Sequence, residues 1–275
     1  MNASKPEVKI FVNGQPVSSP KQYPLPTESS NFVFESLRSY NGIIFRLKEH
    51  LKRLSESAKT IHLKLPKSAH QLELEVKSCL SESSQTEAFI RISVDETNSY
   101  VLVTERTRPE WIYEKGINLK TAVMRKNMPN AVPSEIKTSA FLTNVLAVLE
   151  SPEEDMDEVI LLDPNGFVTE STVWNLFMVK EYQIFTAATG ILHGVTRQFV
   201  IECIQLERLP IIQTNLTRHD LWNADEAFLT NTSGEIVPIR MLDGRRIGSK
   251  MPGDMTQRLM ARFQKELKQE LRNDS

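Results

Sequence analysis

Lys137 is the first residue of this chain whose surroundings suit covalent chemistry. It follows Ile136 and precedes Ala140, Phe141 and Leu142, with prolines upstream at positions 129 and 133. An amine in apolar surroundings loses its proton more readily, because burial disfavours the charged form, and becomes a usable nucleophile and base. A second candidate, Glu170, lies inside the apolar run FVTESTVWNLFMV, where a carboxylate could face a positively charged heterocycle. The third is Gly194-Val195-Thr196, which opens a run with Phe199, Val200, Cys203, Ile204 and Leu206 at helical spacing. A helix start exposes unpaired N–H groups at the positive end of the macrodipole, and glycine lets an anion approach closely. Arg53 and Thr232 (in TNTSGE) add donors, and a guanidinium fork pairs two phosphate oxygens. Each feature also has an ordinary explanation: a solvated lysine, a carboxylate on a strand's solvent face, a plain N-cap. Taken together, the three suit a cofactor with an aldehyde, a basic ring nitrogen and a phosphate, namely pyridoxal 5'-phosphate.

The elements that must hold these residues follow from turn chemistry and periodicity. VKIFVNGQPV predicts a hairpin turning at Asn13-Gly14, and FVFESLRSYNGIIFRL a second turning at Asn41-Gly42. Between them runs a polar loop with Pro20, Pro24 and Pro26. Leu47, Leu51, Leu54, Ala58 and Ile61 predict a helix stopped by Pro66, with His50, Arg53 and Ser57 along one flank. Residues 68–83 predict another, with Leu72, Leu74, Val76 and Leu80 inward. AFIRISV and SYVLVTE read as strands joined by DETN. IKTSAFLTN reads as a helical run, INLKTAVM and the segments of DEVILLDPNGFVTESTVWNLFMV as strands, and the chain closes on a helix from about Met255. Helices and strands mix without strict βαβ alternation. The expectation is an α/β (α+β) fold of two lobes: 1–110, a connection over 111–130 containing RTRPEWIYEKG's aromatic end, and 131–275 carrying the lysine. The lobes would hinge near residues 108–130.

Composition narrows the function classes. The chain has 275 residues, 40% hydrophobic and 25% charged, with a net charge of −2. That balance supplies no field to recruit nucleic acid or an acidic membrane. No run of about 18 apolar residues exists to span a bilayer, and the first residues, MNASKPEVKIFVNGQPV, carry no apolar signal core. Cys79 and Cys203 read as core positions in a reduced, cytoplasmic setting. The histidines at 50, 62, 70, 193 and 219 show no metal-ligand spacing, so no metal is expected. G-x-S-x-G, Walker and dinucleotide motifs are missing, and Trp111, Trp174 and Trp222 read as core or interface anchors.

With these residues in view, the chain resembles the class IV, fold-type IV, pyridoxal-phosphate aminotransferases. That family holds branched-chain aminotransferases, D-amino-acid transaminases and aminodeoxychorismate lyase. The resemblance is carried in order by VFESLRSYNGIIFRLKEHLKRLSESAK, IKTSAFLTNVLA, DEVILLDPNGFVTESTVWNLF, GILHGVTR and AFLTNTSGEIVPIRMLDGRRIG. It implies that Lys137 is the Schiff-base lysine and general acid/base, that Glu170 holds the pyridine nitrogen and that Leu192 packs on the ring. Arg53, Val195, Thr196 and Thr232 would hold the phosphate, with Arg91 and Ser36 toward the substrate. It further implies a homodimer with the active site between the lobes.

Several positions depart from the family pattern. SSNFVFE stands where a Gly-Asp-Gly-like turn is usual, and Phe141 and Phe89 stand where branched-chain enzymes tend to carry tyrosines. DETNSY replaces an R-G turn, and Ser36 replaces a glycine where lyases tend to have a threonine hydroxyl. The leading expectation is transamination of a branched-chain or similar apolar L-amino acid to a 2-oxo acid such as 2-oxoglutarate, with Phe34, Phe141 and Leu192 as the apolar wall. The alternatives are aminodeoxychorismate lyase, releasing pyruvate and 4-aminobenzoate, and a non-catalytic relative of the fold.

Overall fold

The computed structural model describes residues 7–17, 31–106, 108–128, 131–139, 142–149 and 156–273. The three loop prolines, Pro129, Ala140, Phe141 and the Ser29-Ser30 start of SSNFVFE lie outside them. The chain divides into two compact units, Met1–Thr107 with Ile136–Ala140 and Leu271–Ser275, and Arg108–Glu135 with Phe141–Glu270.

The first unit contains β1 (Val8–Val12), β2 (Gln15–Pro16), β3 (Val33–Tyr40), β4 (Ile43–Ile44), α1 (Leu47–Thr60), α2 (Ala69–Ser83), β5 (Ala88–Val94) and β6 (Ser99–Glu105). Its sheet runs β2-β1-β6-β5-β3-β4, with every pairing antiparallel. Both expected hairpins form, and the turn residues Asn13, Gly14, Asn41 and Gly42 all have positive φ, the backbone that Asn-Gly supplies at least cost. Strand alternation sends Val33, Leu37, Ile90, Ile92 and Val94 into a core shared with Leu51 and Leu54 of α1 and Leu72 and Val76 of α2. The opposite face of β3 and β5 is left to Phe34, Ser36, Phe89 and Arg91, since Ser36 pairs directly with Arg91. Two helix details differ from expectation. α1 ends at Thr60, before Pro66 is reached, with its cap N–H turned back to Ser57 and Lys59. Leu74 faces outward and is 56% exposed, because the inward stripe of α2 is Leu72, Val76, Cys79 and Leu80.

The second unit contains α3 (Trp111–Lys115), β7 (Ile117–Arg125), α4 (Leu142–Leu149), β8 (Glu158–Leu162), β9 (Val168–Ser171), β10 (Asn175–Lys180), β11 (Gln183–Ala187), α5 (Val195–Leu206), β12 (Ile211–Thr214), α6 (Arg218–Trp222), β13 (Glu226–Asn231), β14 (Glu235–Leu242), β15 (Arg245–Arg246) and α7 (Asp254–Asn273) up to Glu270. Its sheet runs β12-β11-β10-β13-β14-β7-β8-β9, and β9 pairs again with β10. The path therefore closes on itself from β9 to β10, which draws Glu170 opposite Asn175. Three expectations are corrected here. Residues 111–125 are not a connection but α3 and a central strand, because β7 pairs in parallel with both β14 and β8. Lys137 does not belong with the later residues either. Residues 136–139 are extended, not helical, and α4 begins only at Leu142. The reason is pairing with β3: Thr138 bridges Val33, Phe34 N–H donates to Lys137 O at 3.1 Å, and Ser139 N–H donates to Phe32 O at 3.0 Å.

Candidate active site

In the first unit the backbone of Lys137 is tied on both sides. Its carbonyl accepts from β3, and its N–H donates to Ser57 Oγ of α1 at 3.1 Å. The side chain is half-buried, with Nζ 4.5 Å from the centroid of the Phe34 ring. Arg91 covers the same ring at 4.0 Å, and burial pushes its guanidinium below its ordinary pKa. The β3–β5 register places Ser36 beside Arg91. Lys137, Phe34, Arg91 and Ser36 thus come together as one cationic, aromatic cluster.

Arg53 occupies a different environment. Its Nε donates to Glu35 Oε1 at 2.7 Å and its terminal nitrogen to Glu35 Oε2 at 2.6 Å, a two-point fork. His50 Nδ1 reaches Glu35 Oε2 at 2.8 Å. Glu35 points into the helix-backed side of β3 and is fully buried. Burial alone would raise its pKa, but Arg53 and His50 overcome it and hold the carboxyl at about 2. Burial lowers the His50 pKa, opposed by Glu35 and aided by the charges of Arg53 and Lys137. His50 Nε2 is buried without a hydrogen-bond partner among the described residues.

In the second unit, Glu170 is buried (6% exposed) and does not face solvent as an isolated strand carboxylate would. Asn175 Nδ2 donates to its Oε2 at 2.8 Å and Leu192 N–H to the same oxygen at 3.0 Å. Lys126 donates to Oε1 in a very short contact and to Gly190 O at 3.0 Å. Asn175 also donates to Leu192 O at 2.8 Å, so the 190–194 turn is wrapped on the Glu170–Asn175 pair. Gly194 N–H closes that turn onto Leu192 O. A Cβ at Gly194 would fall 2.2 Å from Asn175 Oδ1, so only glycine lets the turn pass. α5 starts immediately after it, with Val195 and Thr196 buried and, at its N-cap, a glycine that offers no side chain to cap it. Thr232 is half-buried in the turn that follows β13. There Gly234 abuts the Trp174 ring, which would lie 2.1 Å from an added Cβ, and Arg108 Nε donates to Ser233 Oγ at 3.1 Å.

Glu35, Lys126 and Asn175 were missed by sequence reasoning. Glu35 and Asn175 carried a signal, since each stands in a block that also holds an expected site residue. Lys126, in MRKNMP, carried none. The residues present fit a pyridine nitrogen, a phosphate and an aldehyde. Among the described residues Glu170 Oε1 has one donor and keeps acceptor capacity for a ring N–H. α5 offers an uncapped start behind a close-passing glycine.

Residues 32–242 match the family model for amino-transferase class IV. A protein of Methanocaldococcus jannaschii, provisionally named a branched-chain-amino-acid aminotransferase, is 34% identical over 84% of this chain and 85% of its own length. A D-alanine aminotransferase of Bacillus licheniformis is 29% identical over 84% of this chain and 86% of its own. The T.th. branched-chain amino acid aminotransferase, solved with pyridoxamine 5'-phosphate and with N-(5'-phosphopyridoxyl)-L-glutamate, superimposes with a TM-score of 0.86. That match has 27% identity and covers 94% of this chain and 93% of the other. The chain belongs to the class IV aminotransferase family. It is an enzyme of the transferase class, with the mixed helix-and-strand fold of fold-type IV aminotransferases.

Proposed function

We propose that the protein is a pyridoxal-phosphate-dependent aminotransferase that takes the amino group from a branched-chain or similar apolar L-amino acid and passes it to a 2-oxo acid such as 2-oxoglutarate. The observation that carries the cofactor assignment is Glu170, a buried carboxylate with acceptor capacity to spare. When bound, pyridoxal phosphate supplies an aldehyde for the substrate amine and a protonated ring that withdraws electrons from the substrate α-carbon. Glu170 accepts the ring N–H and favours its protonated state. Lys137 would hold the cofactor through its amine until the substrate's amine displaces it, and the freed Nζ would then move a proton between the substrate α-carbon and C4′. Its fixed backbone limits where Nζ can travel. Arg53, the Val195 N–H, the Thr196 N–H and hydroxyl, and Thr232 hold the phosphate, while Leu192 covers the ring. Arg91 and Ser36 receive the substrate's carboxylate, and Phe34 favours apolar side chains. Support for the substrate class comes from the relatives' names and from the aromatic wall beside Arg91.

The test is the visible absorption of wild type and Lys137→Ala with pyridoxal phosphate. Wild type is expected to show a band that L-leucine or L-glutamate bleaches, and Lys137→Ala none. A wild-type band that no amino acid bleaches would favour aminodeoxychorismate lyase, and no lysine-dependent band would overturn the assignment. We also infer a homodimer. Leu142, Val145, Val148 and Leu149 leave α4 with an exposed apolar face, the kind of patch a second copy covers. Light scattering giving the mass of one chain, 31.4 kDa, would overturn it. The two buried free cysteines support a reducing, cytoplasmic setting, checkable by fractionation.

A further inference from the structure

We propose that Lys126 is a positioning residue for the cofactor's ring nitrogen. It acts through Glu170, holding that carboxylate turned so that the remaining acceptor site of Oε1 meets the ring N–H. The inference rests on the cofactor assignment above and goes beyond it, since it adds a third member to the Glu170–ring contact.

Away from water, an ionised carboxyl persists only with donors and a compensating charge. Asn175 and the Leu192 N–H supply neutral donors, both to Oε2, and neither balances charge. Lys126 supplies the charge, to Oε1 alone. Side chains of Lys126 and Glu170 are 11% and 8% exposed, so water screens the pair little. Arg197 also feels the field of Glu170, but its terminal nitrogen is committed to Ala187 O at 3.1 Å and Gln213 Oε1 at 2.9 Å. Among the described residues Lys126 is therefore the cation in hydrogen-bond contact with Glu170.

Lys126 is itself anchored. Its second bond, to Gly190 O at 3.0 Å, fixes the ammonium between the strand that carries Glu170 and the turn that carries Leu192. Two neutral donors on one oxygen and an anchored ammonium on the other define the plane of the carboxylate. A lysine with two acceptors has little reason to swing away when a further donor arrives. A fixed positive charge at this place also lowers the proton affinity of groups around it. Lys126 thereby tunes how readily the bound ring gives up its proton, without touching the ring.

The experiment compares wild type, Lys126→Met and Lys126→Arg, each loaded with pyridoxal phosphate. Two quantities are read: the rate of cofactor release on dilution, and the pH midpoint of the visible band. Lys126→Met is expected to release cofactor roughly tenfold faster, as loss of a charged donor to a buried group implies. Its midpoint should move upward, because removing a positive charge strengthens neighbouring bases. Lys126→Arg keeps the charge and should return both quantities to near wild type. Equal release and an unchanged midpoint in Lys126→Met would overturn the inference, as would a Lys126→Arg protein as defective as the methionine variant. If Lys126→Met does not fold, the double variant Lys126→Met/Glu170→Gln, which removes both charges, is expected to fold, and its failure to do so would also count against the inference. A wild type that shows no cofactor band fails the functional assignment itself, a result distinct from the others.

Discussion

Two buried glutamates, one in each unit of the chain, receive opposite treatment. Glu35 is gripped by one helix: α1 supplies both the Arg53 fork and His50, and the carboxylate is fully buried. Glu170 is held by three separate stretches: Lys126 after β7, Asn175 on β10 and Leu192 in the turn before α5. A planar guanidinium in two-point contact has one geometry, whereas an ammonium is a point charge on a flexible stem. Glu35 therefore serves to hold Arg53 in place. Glu170 is fixed in place while one oxygen retains room for another donor. The contrast teaches that a buried carboxylate is read by where its donors come from as much as by how many it has.

The comparison breaks most visibly at Glu35. Glu35→Ala leaves a buried arginine and histidine unmatched and is expected to cost about 3–5 kcal/mol of stability in urea unfolding. A loss under about 1 kcal/mol would show that Arg53 finds other partners and that the grip is not structural. The same grip predicts a pH dependence. A carboxyl whose folded pKa is about 2 against an ordinary 4.5 stabilises the fold in full above 4.5. That contribution, roughly 3 kcal/mol, is lost as pH falls through 2. His50, with its pKa lowered from 6.5 by burial, adds a second loss that begins as pH falls below 6.5. Acid titration of stability should therefore show both steps in wild type, and the lower step should vanish in Glu35→Gln. A lower step that survives unchanged in Glu35→Gln would place it on other carboxyls.

Glu170→Gln sits at the small end of the series. Lys126 keeps its bond to Gly190 O, and the glutamine amide oxygen still offers it an acceptor, so the expected cost is about 1–2 kcal/mol in the same unfolding assay. Cofactor retention should fall far more than stability does. If stability instead falls as much as in Glu35→Ala, the two sites are alike and the distinction between a structural and a replaceable partner fails.

Much of this was legible beforehand because it was local. The Asn-Gly turns demand positive φ within two residues, so both hairpins could be placed from a few neighbouring letters. The α5 start after Gly194 was legible for the same reason. The extended state of Lys137 was not. Its run has the letters of a helix, and only pairing with β3, far earlier in the chain, overrides that preference. Residues 111–125 misled in the same manner, since proline and aromatics resembled a connection until β7 found β14 and β8.

By itself the sequence determined the turns, the amphipathic stripes and which residue types were present to do chemistry, because each depends on a few neighbouring residues. The tertiary structure decided which charges meet, Arg53 with Glu35 and Lys126 with Glu170, and which backbone group the Ser57 hydroxyl accepts from, the Lys137 N–H. Those pairings depend on desolvation and on strand register across distant parts of the chain. A buried charge takes the partner that packing brings within reach, and no spacing along the sequence specifies that partner.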